Sequence, residues 1–288
     1  MDGSIYGGLL IRENDKNSCD YSVCDKITAR LALSQEVLEE AWNLRHAAYS
    51  SHGFIEPKTN GMFMDDWDFR DSTRVIVVYK NEVPVATVRV CLYAPETGID
   101  GAGSLPTMDR FRNEIVDILD KVRVDNGLVR AAEVLRLSRH PDLGADYEPV
   151  FALFRMVGYM LLHFDADAVF SAVRRHHIAF YRRMGFRKIT EPCPSAKLKF
   201  ETGLMACVRQ KGAELRDSLS VLGLVSKADD NYRDFLAGER VPVFGTGPAP
   251  AALSGMFGGR FEGIQASPAL FASRARKTAR LPEIQLAA

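Results

Sequence analysis

The stretch from Ala131 to Pro141 contains ionisable side chains inside a segment that otherwise has the composition of a buried strand. Glu133 and Arg136 interrupt its apolar residues. A buried charge without a partner costs several kcal/mol, so the strand lies at a sheet edge or its charges belong to a site. We interpret the stretch as a site centred on Glu133 and Arg136. There a carboxylate could take up a proton and a guanidinium could bind an anion.

Other ionisable residues also lie in apolar or aromatic surroundings. Arg45 shares a helix face with apolar residues and precedes Tyr49 by one helical turn, and Arg89 lies inside a β-rich run. Asp65 and Asp68 belong to an irregular, aromatic-rich loop that lacks the ligand order of a calcium loop. Such a set can form an ion-pair network that holds the loop to the sheet, or it can hold a substrate carboxylate. We favour the network for the aspartates and the helical arginine, and leave both interpretations open for the strand arginines.

The elements that must position these residues follow from the periodicity of the sequence. Strand, helix, hairpin, helix, strand, helix, strand, helix and strand are predicted in this order up to about residue 210. The predicted strands span 27–33, 73–79, 83–93, 128–138, 168–173 and 204–208. This order predicts a mixed α/β domain with a single sheet over residues 27–212. Residues 1–26 are predicted to form a polar arm, and 213–288 a C-terminal extension, partly helical or disordered.

The composition narrows the class of protein. The 288 residues are 47% hydrophobic and 26% charged with a formal net charge of zero, so overall charge does not suggest a nucleic-acid partner. No apolar run is long enough for a membrane span, and no signal peptide is evident at the N-terminus. The five cysteines are scattered, which favours reduced thiols and a cytoplasmic location, and no metal constellation is present.

The run from Phe180 to Phe186 resembles the Phe-Tyr-x-x-x-Gly-Phe ending of the GNAT acyltransferase superfamily. The ordered set upstream adds to this resemblance: it comprises Arg45 with Tyr49, Asp65 with Asp68, Arg89, and Glu133 with Arg136. In that order these residues resemble the signature of the acyl-homoserine lactone synthases and of their relatives, the long-chain N-acyl amino acid synthases. The resemblance covers roughly residues 27–210. It implies a GNAT-like fold, with one mixed, mostly antiparallel central sheet flanked by helices, and an acyl carrier protein thioester as acyl donor.

Two departures separate the branches of this resemblance. Homoserine lactone synthases carry a tryptophan shortly after the first arginine and aromatic pair, whereas residues 50–54 contain none. Many acetyl-CoA enzymes of the superfamily cradle the pyrophosphate with a glycine-rich turn before the long helix. Here residues 141–149 contain one glycine and three acids, which would repel a pyrophosphate. The departures favour a phosphopantetheine arm on acyl carrier protein over acyl-CoA, and the N-acyl amino acid synthase branch.

We therefore expect an N-acyltransferase that moves a long-chain acyl group from acyl carrier protein to an amino acid, with tyrosine as the acceptor that the resemblance implies. The alternatives are an acyl-homoserine lactone synthase that uses S-adenosylmethionine and a non-catalytic GNAT-like module that binds the carrier. We expect no bound cofactor or metal, no nucleic acid, and peripheral membrane contact only through the lipid product. The basic helix with His176 and His177 would meet the acidic carrier protein.

Each residue then receives an expected role. Glu133 is the candidate base that deprotonates the amine, and its alternative is a structural partner of an arginine. Tyr181 is placed by the resemblance to protonate the leaving thiolate, and its alternative is a packed aromatic residue. A strand splayed after Glu133 would offer backbone N–H groups to the oxyanion, and the resemblance implies a β-bulge that turns Arg136 to the same side. The candidate substrate-binding residues are Arg45, Tyr49, Asp65, Asp68, Arg89, Arg136 and Arg139.

Overall fold

A computed structural model describes residues 27–194, 199–211 and 213–244. The predicted N-terminal arm and residues 245–288 of the predicted C-terminal extension lie outside the described residues. Within the described ranges no helix is long and apolar enough to cross a membrane, and Cys91, Cys193 and Cys207 carry free thiols.

A single mixed sheet runs through the fold, as the sequence predicts. Its strands follow the order β6-β8-β5-β4-β3-β2-β1-β9, and β7 pairs separately with β8. Every pairing is antiparallel except that of β4 with β5. The strands are β1 (Ile27–Leu31), β2 (Thr73–Lys80), β3 (Val83–Tyr93), β4 (Ala131–Arg139), β5 (Ala168–Val173), β6 (Arg187–Lys188), β7 (Cys193–Pro194), β8 (Glu201–Val208) and β9 (Val241–Pro242).

The helices cover both faces of the sheet, so its central strands are buried on each side. Along β2, Ile76 and Val78 pack toward α3, whereas Val75 and Val77 pack toward α1. This alternation is what a strand with two apolar faces requires. The helices are α1 (Gln35–Ser51), α2 (Met108–Asn126), α3 (Glu148–Phe164), α4 (Ile178–Arg183), α5 (Leu215–Ser218) and α6 (Asp230–Leu236).

Helices α1 and α2 lie on one face of the sheet, which we call the α1/α2 face, and α3 lies on the opposite α3 face. Helix α1 begins where the sequence predicts, because the Ser34 hydroxyl accepts a hydrogen bond from the Val37 backbone at 3.5 Å. The short basic helix begins later than predicted, since residues 175–177 form a 3₁₀ turn before α4. The arrangement leaves the middle of the α1/α2 face, between the two helices, to polar side chains.

The described part of the C-terminal extension, residues 213–244, packs on the α3 face. Leu215, Leu219, Tyr232 and Phe235 are buried in the same cluster as α3, and β9 pairs with β1. This part contains the short helices α5 and α6, and it completes the core rather than projecting from it. The boundary at residue 212 stays a prediction.

Gly185 fixes the contact between α4 and this C-terminal segment. Its φ of +105° lies in a region that L side chains rarely adopt, and a Cβ atom there would lie 1.9 Å from the Ser218 carbonyl oxygen. The Ser220 backbone N–H in turn donates to the Met184 carbonyl at 3.2 Å. Glycine is therefore required at this point by both backbone conformation and space.

Candidate active site

Strands β4 and β5 part at the centre of the sheet. Their parallel pairing ends with Glu133 opposite Phe170, although β4 continues to Arg139 and β5 to Val173. Beyond that point the Val134 carbonyl accepts a hydrogen bond from the Ser171 hydroxyl at 2.7 Å instead of from a backbone partner on β5. The separation of the strands after Glu133 agrees with the splay expected from the sequence.

Glu133 lies at the parting of the strands with its side chain on the α1/α2 face. It is 0% exposed, and its Oε2 accepts a hydrogen bond from the Thr107 backbone N–H at 3.0 Å. The other oxygen, Oε1, is buried and accepts no hydrogen bond from the described residues. Burial raises the pKa of Glu133 to about 7, while Thr107, Arg89 and Arg136 act in the opposite direction. A carboxyl group with this pKa can exchange a proton close to neutral pH.

A β-bulge in β4 places Arg136 on the same face as Glu133. Thr87 pairs with Ser138 and Arg89 pairs with Leu135, so two residues of β4 stand opposite one residue of β3. Arg136 takes the extra position with a φ of +57°, a left-handed conformation that costs a residue with a Cβ on the order of 1 kcal/mol. The predicted bulge is confirmed, and it reconciles the two charged residues with the alternation of a strand.

Asp65 connects the loop after α1 to both strand arginines. Its Oδ1 accepts from Arg89 Nη1 at 2.5 Å, and its Oδ2 accepts from Arg136 Nη2 at 2.7 Å. Burial of the carboxyl group opposes ionisation, but the two guanidiniums outweigh burial and hold the pKa of Asp65 well below its usual range. The carboxylate therefore stays ionised at neutral pH.

Asp68 completes the network from the next turn of the same loop. Its Oδ1 lies 2.7 Å from Arg45 Nη1 and 3.2 Å from Arg89 Nη1, while its Oδ2 accepts the Asp65 backbone N–H at 3.1 Å. The Arg45 and Asp68 side chains are 1% and 0% exposed. Asp65 and Asp68 also form the capping box of the 3₁₀ helix Asp66–Phe69. This geometry is that of the expected ion-pair network, which holds the loop against the sheet.

Tyr181 approaches the parting of the strands from the α3 face, opposite to Glu133. Its ring packs edge-on against Phe154 and Phe186, with centroids 6.0 and 5.2 Å away, and its hydroxyl shares a hydrogen bond with Ser171. Burial raises the pKa of Tyr181, so the phenol stays protonated at neutral pH. Tyr181 is thus a packed aromatic residue whose protonated hydroxyl lies beside Ser171 of β5.

Tyr49 belongs to a group of half-buried rings that we call the aromatic cluster: Tyr49, Phe54, Phe63 and Phe200. The guanidinium of Arg136 lies 4.8 Å from the Phe63 ring centre, and that of Arg174 lies 4.8 Å from the Phe54 ring centre. One arginine comes from β4 and the other directly follows β5. The aromatic cluster therefore joins the two strands on either side of their parting.

Sequence reasoning did not single out Thr107, Arg174 or the phenylalanines of the aromatic cluster. Phe63 lies in the aromatic-rich loop that also carries Asp65 and Asp68. Arg174 carried a weaker signal, because it directly follows a buried strand. The contact of Thr107 with Glu133 joins segments that are distant in sequence and has no local signal in the sequence.

Arg139 is the one predicted site residue that the structure places apart from the others. Its guanidinium donates to the carbonyl oxygens of Gly144 at 2.6 Å and Asp146 at 2.9 Å, and it lies over the Tyr147 ring at 4.8 Å. It orders the turn before α3. The substrate-binding role predicted for Arg139, like the roles of the other site residues, stays a prediction.

Comparisons with known proteins agree with this geometry. The sequence profile of the N-acyl amino acid synthase FeeM family matches residues 40–208. The solved structure of FeeM, an N-acyl amino acid synthase from uncultured soil microbes, superposes with a TM-score of 0.54 at 17% identity, covering 70% of this chain and 100% of that one. The predicted GNAT-like fold is thereby confirmed.

Two acyl-homoserine lactone synthase structures are more distant. LasI has a TM-score of 0.48 at 11% identity, covering 68% of this chain and 95% of its own. BjaI, a CoA-dependent enzyme with bound SAM and isopentyl-CoA, has a TM-score of 0.47 at 14% identity, covering 80% and 99%. No protein among the curated sequences matches the chain.

Proposed function

Because the chain belongs to the N-acyl amino acid synthase FeeM family and is therefore an acyltransferase, we propose that it moves a long-chain acyl group from acyl carrier protein to an amino acid amine. Tyrosine is the expected acceptor. The observation that carries the proposal is the position of Glu133, a buried carboxyl group with a pKa of about 7 at the parting of β4 and β5.

Glu133 removes the proton that keeps the amine from attacking. An amino acid amine is mostly protonated near neutral pH, and Oε1 of Glu133 has no hydrogen-bond partner among the described residues. The ionised carboxylate accepts a proton from the ammonium group, directly or through a water molecule. The neutral amine then forms the C–N bond to the thioester carbonyl carbon, and the carbonyl oxygen becomes an oxyanion.

The tetrahedral intermediate collapses by breaking the C–S bond. Backbone N–H groups of β4 past Glu133, where pairing with β5 has ended, supply hydrogen bonds to the oxyanion, each worth about 3 kcal/mol. The hydroxyl of Tyr181 gives its proton to the leaving thiolate, and the amine loses its second proton to restore the phenol. The products are an N-acyl amino acid, a carrier thiol and one proton released through Glu133.

The charges of the turn before α3 support the proposal that the acyl donor carries no nucleotide. Asp142 is exposed in this turn, and Asp146 is held by Lys80 at 2.9 Å. The Arg139 guanidinium is occupied by carbonyl oxygens of the same turn. A CoA pyrophosphate would meet negative charge here, whereas a phosphopantetheine arm presents a single phosphate from the carrier surface.

A basic surface beside the parting of β4 and β5 supports the proposal that the acyl donor is an acidic carrier protein. Arg175, Arg182 and Arg187 are exposed on and around α4. His177 adds no charge to this surface, because burial and the neighbouring Arg174 lower its pKa to about 3 and keep its ring neutral. The arginines therefore carry the positive charge of this surface.

Mass spectrometry of purified protein incubated with acyl carrier thioesters and single amino acids tests the proposal. We expect N-acyl amino acids, tyrosine giving the fastest turnover, and a lower rate when acyl-CoA replaces the carrier. An acyl-homoserine lactone formed from S-adenosylmethionine would replace the proposal by the alternative synthase. Absence of transfer from every donor would favour a module that binds the carrier without catalysis. The cytoplasmic location likewise stays a prediction.

A further inference from the structure

Arg174 differs from the other arginines around the parting of β4 and β5, because among the described residues it has no carboxylate partner. Arg45, Arg89 and Arg136 each contact Asp65 or Asp68. For Arg174 the structure gives only ring contacts, with Phe54 at 4.8 Å and Phe200 at 5.5 Å, and no carboxylate of the described residues lies within ion-pair distance.

The location of Arg174 is unfavourable for a cation without a counter-ion. Its side chain is only partly accessible, and burial lowers its pKa, with Tyr49 opposing that shift. Rings stabilise a guanidinium less than a paired carboxylate does in such surroundings. The residues between Pro194 and Lys199 contain no acid in the sequence. A ligand carboxylate would supply the missing negative charge.

Tyr49 connects Arg174 to the reacting groups. Its ring lies 6.2 Å from the Phe54 ring, on which Arg174 stacks, and 5.9 Å from the Arg136 guanidinium. A molecule bound between Arg174 and the aromatic cluster is therefore close to Arg136 of β4 and to the parting of β4 and β5. The cluster offers a partly apolar, ring-lined surface on which an aromatic side chain can stack.

We propose that Arg174 binds the α-carboxylate of the acceptor amino acid and that the aromatic cluster contacts its side chain. The inference rests on the proposed function, because it assigns the acceptor to one part of that same site. The planar guanidinium can bind both oxygens of a carboxylate, which orients the adjacent amine as well as holding it. Arg174 is thereby a specificity residue that selects amino acids over simple amines.

Paired acceptors test this assignment. Wild-type protein, Arg174→Met and Arg174→Lys are compared with tyrosine and with tyramine, which lacks only the carboxylate. We expect Arg174→Met to lower kcat/KM for tyrosine about 10- to 100-fold and to leave the value for tyramine nearly unchanged. Arg174→Lys should give an intermediate kcat/KM for tyrosine, since lysine keeps the charge and loses the planar guanidinium that can bind both carboxylate oxygens. Arg112→Met, on the exposed side of α2, is the matched control and should retain the preference for tyrosine.

An equal loss of activity toward both acceptors would overturn the assignment, and so would a rise confined to the KM of the acyl carrier thioester. Thermal unfolding of each variant shows whether any loss reflects misfolding. Calorimetric binding of N-acyl-tyrosine and N-acyl-tyramine measures the carboxylate contact without turnover. If the wild type acylates neither acceptor, the proposed function fails. Equal affinity of wild type and Arg174→Met for N-acyl-tyrosine would then refute the carboxylate contact on its own.

Discussion

Thr107 donates its backbone N–H to Oε2 of Glu133 across 3.0 Å, so the residue preceding α2 holds the carboxyl group at the parting of β4 and β5. The bond uses one oxygen, and the other accepts no hydrogen bond from the described residues. It also keeps the carboxyl group directed toward the α1/α2 face. The position of the proposed base is therefore set by a contact between segments that are distant in sequence.

Glu133→Gln removes the proposed base with little change of shape. Because burial raises the pKa of Glu133 to about 7, wild-type kcat/KM should rise with pH through that value as the carboxylate forms. The variant should lose about 100-fold or more in kcat and lose this rise near pH 7. Steady-state rates between pH 5.5 and 8.5 provide the measurement. Glu36→Gln, at an exposed position in the first turn of α1, should behave as wild type, and an unchanged profile in Glu133→Gln would exclude Glu133 as the base.

Tyr181→Phe separates proton donation from packing. The ring contacts with Phe154 and Phe186 remain, so stability should change by only about 1 kcal/mol, the value of a hydrogen bond. We expect kcat to fall about 10- to 100-fold with the natural thiol leaving group. With an acyl thioester of a more acidic thiol, which needs no proton to leave, the difference should narrow. The same deficit with both donors would contradict the role of Tyr181 as an acid.

Asp65→Asn tests the network through the pH dependence of stability. The folded pKa of Asp65 lies below its unfolded value of about 3.8, so its ion pairs stabilise the fold above that value and are lost as pH falls below it. The variant should lose about 2 kcal/mol at pH 7, because two guanidiniums lose their partner. The difference from wild type should shrink below about pH 4. Urea unfolding at pH 7, 5 and 3.5 measures this difference in the free energy of unfolding. Asp66→Asn, at the exposed neighbouring position, should show no such dependence, and a pH-independent difference for Asp65→Asn would argue against the network.

Gly185→Ala tests the contact between α4 and the C-terminal segment. A methyl group would collide with the Ser218 carbonyl at 1.9 Å in a backbone conformation with a φ of +105°. We expect a loss of about 2–4 kcal/mol in the free energy of unfolding. Gly127→Ala is the matched control, since its φ is +83° with nothing within 4 Å, and it should cost about 1 kcal/mol. Equal losses in the two variants would mean that the approach to Ser218 contributes little. Chemical denaturation supplies both values.

The sequence predicts those parts of the fold that depend on local pattern. Strand β5 has its predicted bounds, 168–173, because a short apolar run ends at charged residues on both sides. Strand β4 begins three residues later than predicted, at Ala131. Leu128 is 71% exposed, and the strand forms only where a neighbouring strand is present to pair with it. Strands β6, β7 and β9, of two residues each, depend on long-range pairing and have no local signal.

The residues of the candidate site likewise divide into those with a local signal in the sequence and those that depend on long-range contacts. Glu133 and the network arginines could be recognised in the sequence because burial of an unpaired charge is unfavourable. A charged residue in an apolar pattern therefore indicates an ion-pair partner or a functional site. The amide of Thr107 and the stacking of Arg174 on Phe54 and Phe200 come from loops folded onto one another. Contacts of that kind leave no periodic signal in the sequence.

The two-residue strands have a consequence for how this protein can associate with others. In the part of the chain that the structure describes, the β1 side of the sheet ends at Val241–Pro242 and the β8 side at Arg187–Lys188 and Cys193–Pro194. A strand this short, with a proline or two cations, offers few free backbone groups to a strand of another chain. Growth of the sheet by intermolecular strand pairing, the usual route to aggregation of exposed β-edges, is therefore opposed at both ends. The proposed carrier protein would instead contact helices and loops, the elements that border the parting of β4 and β5.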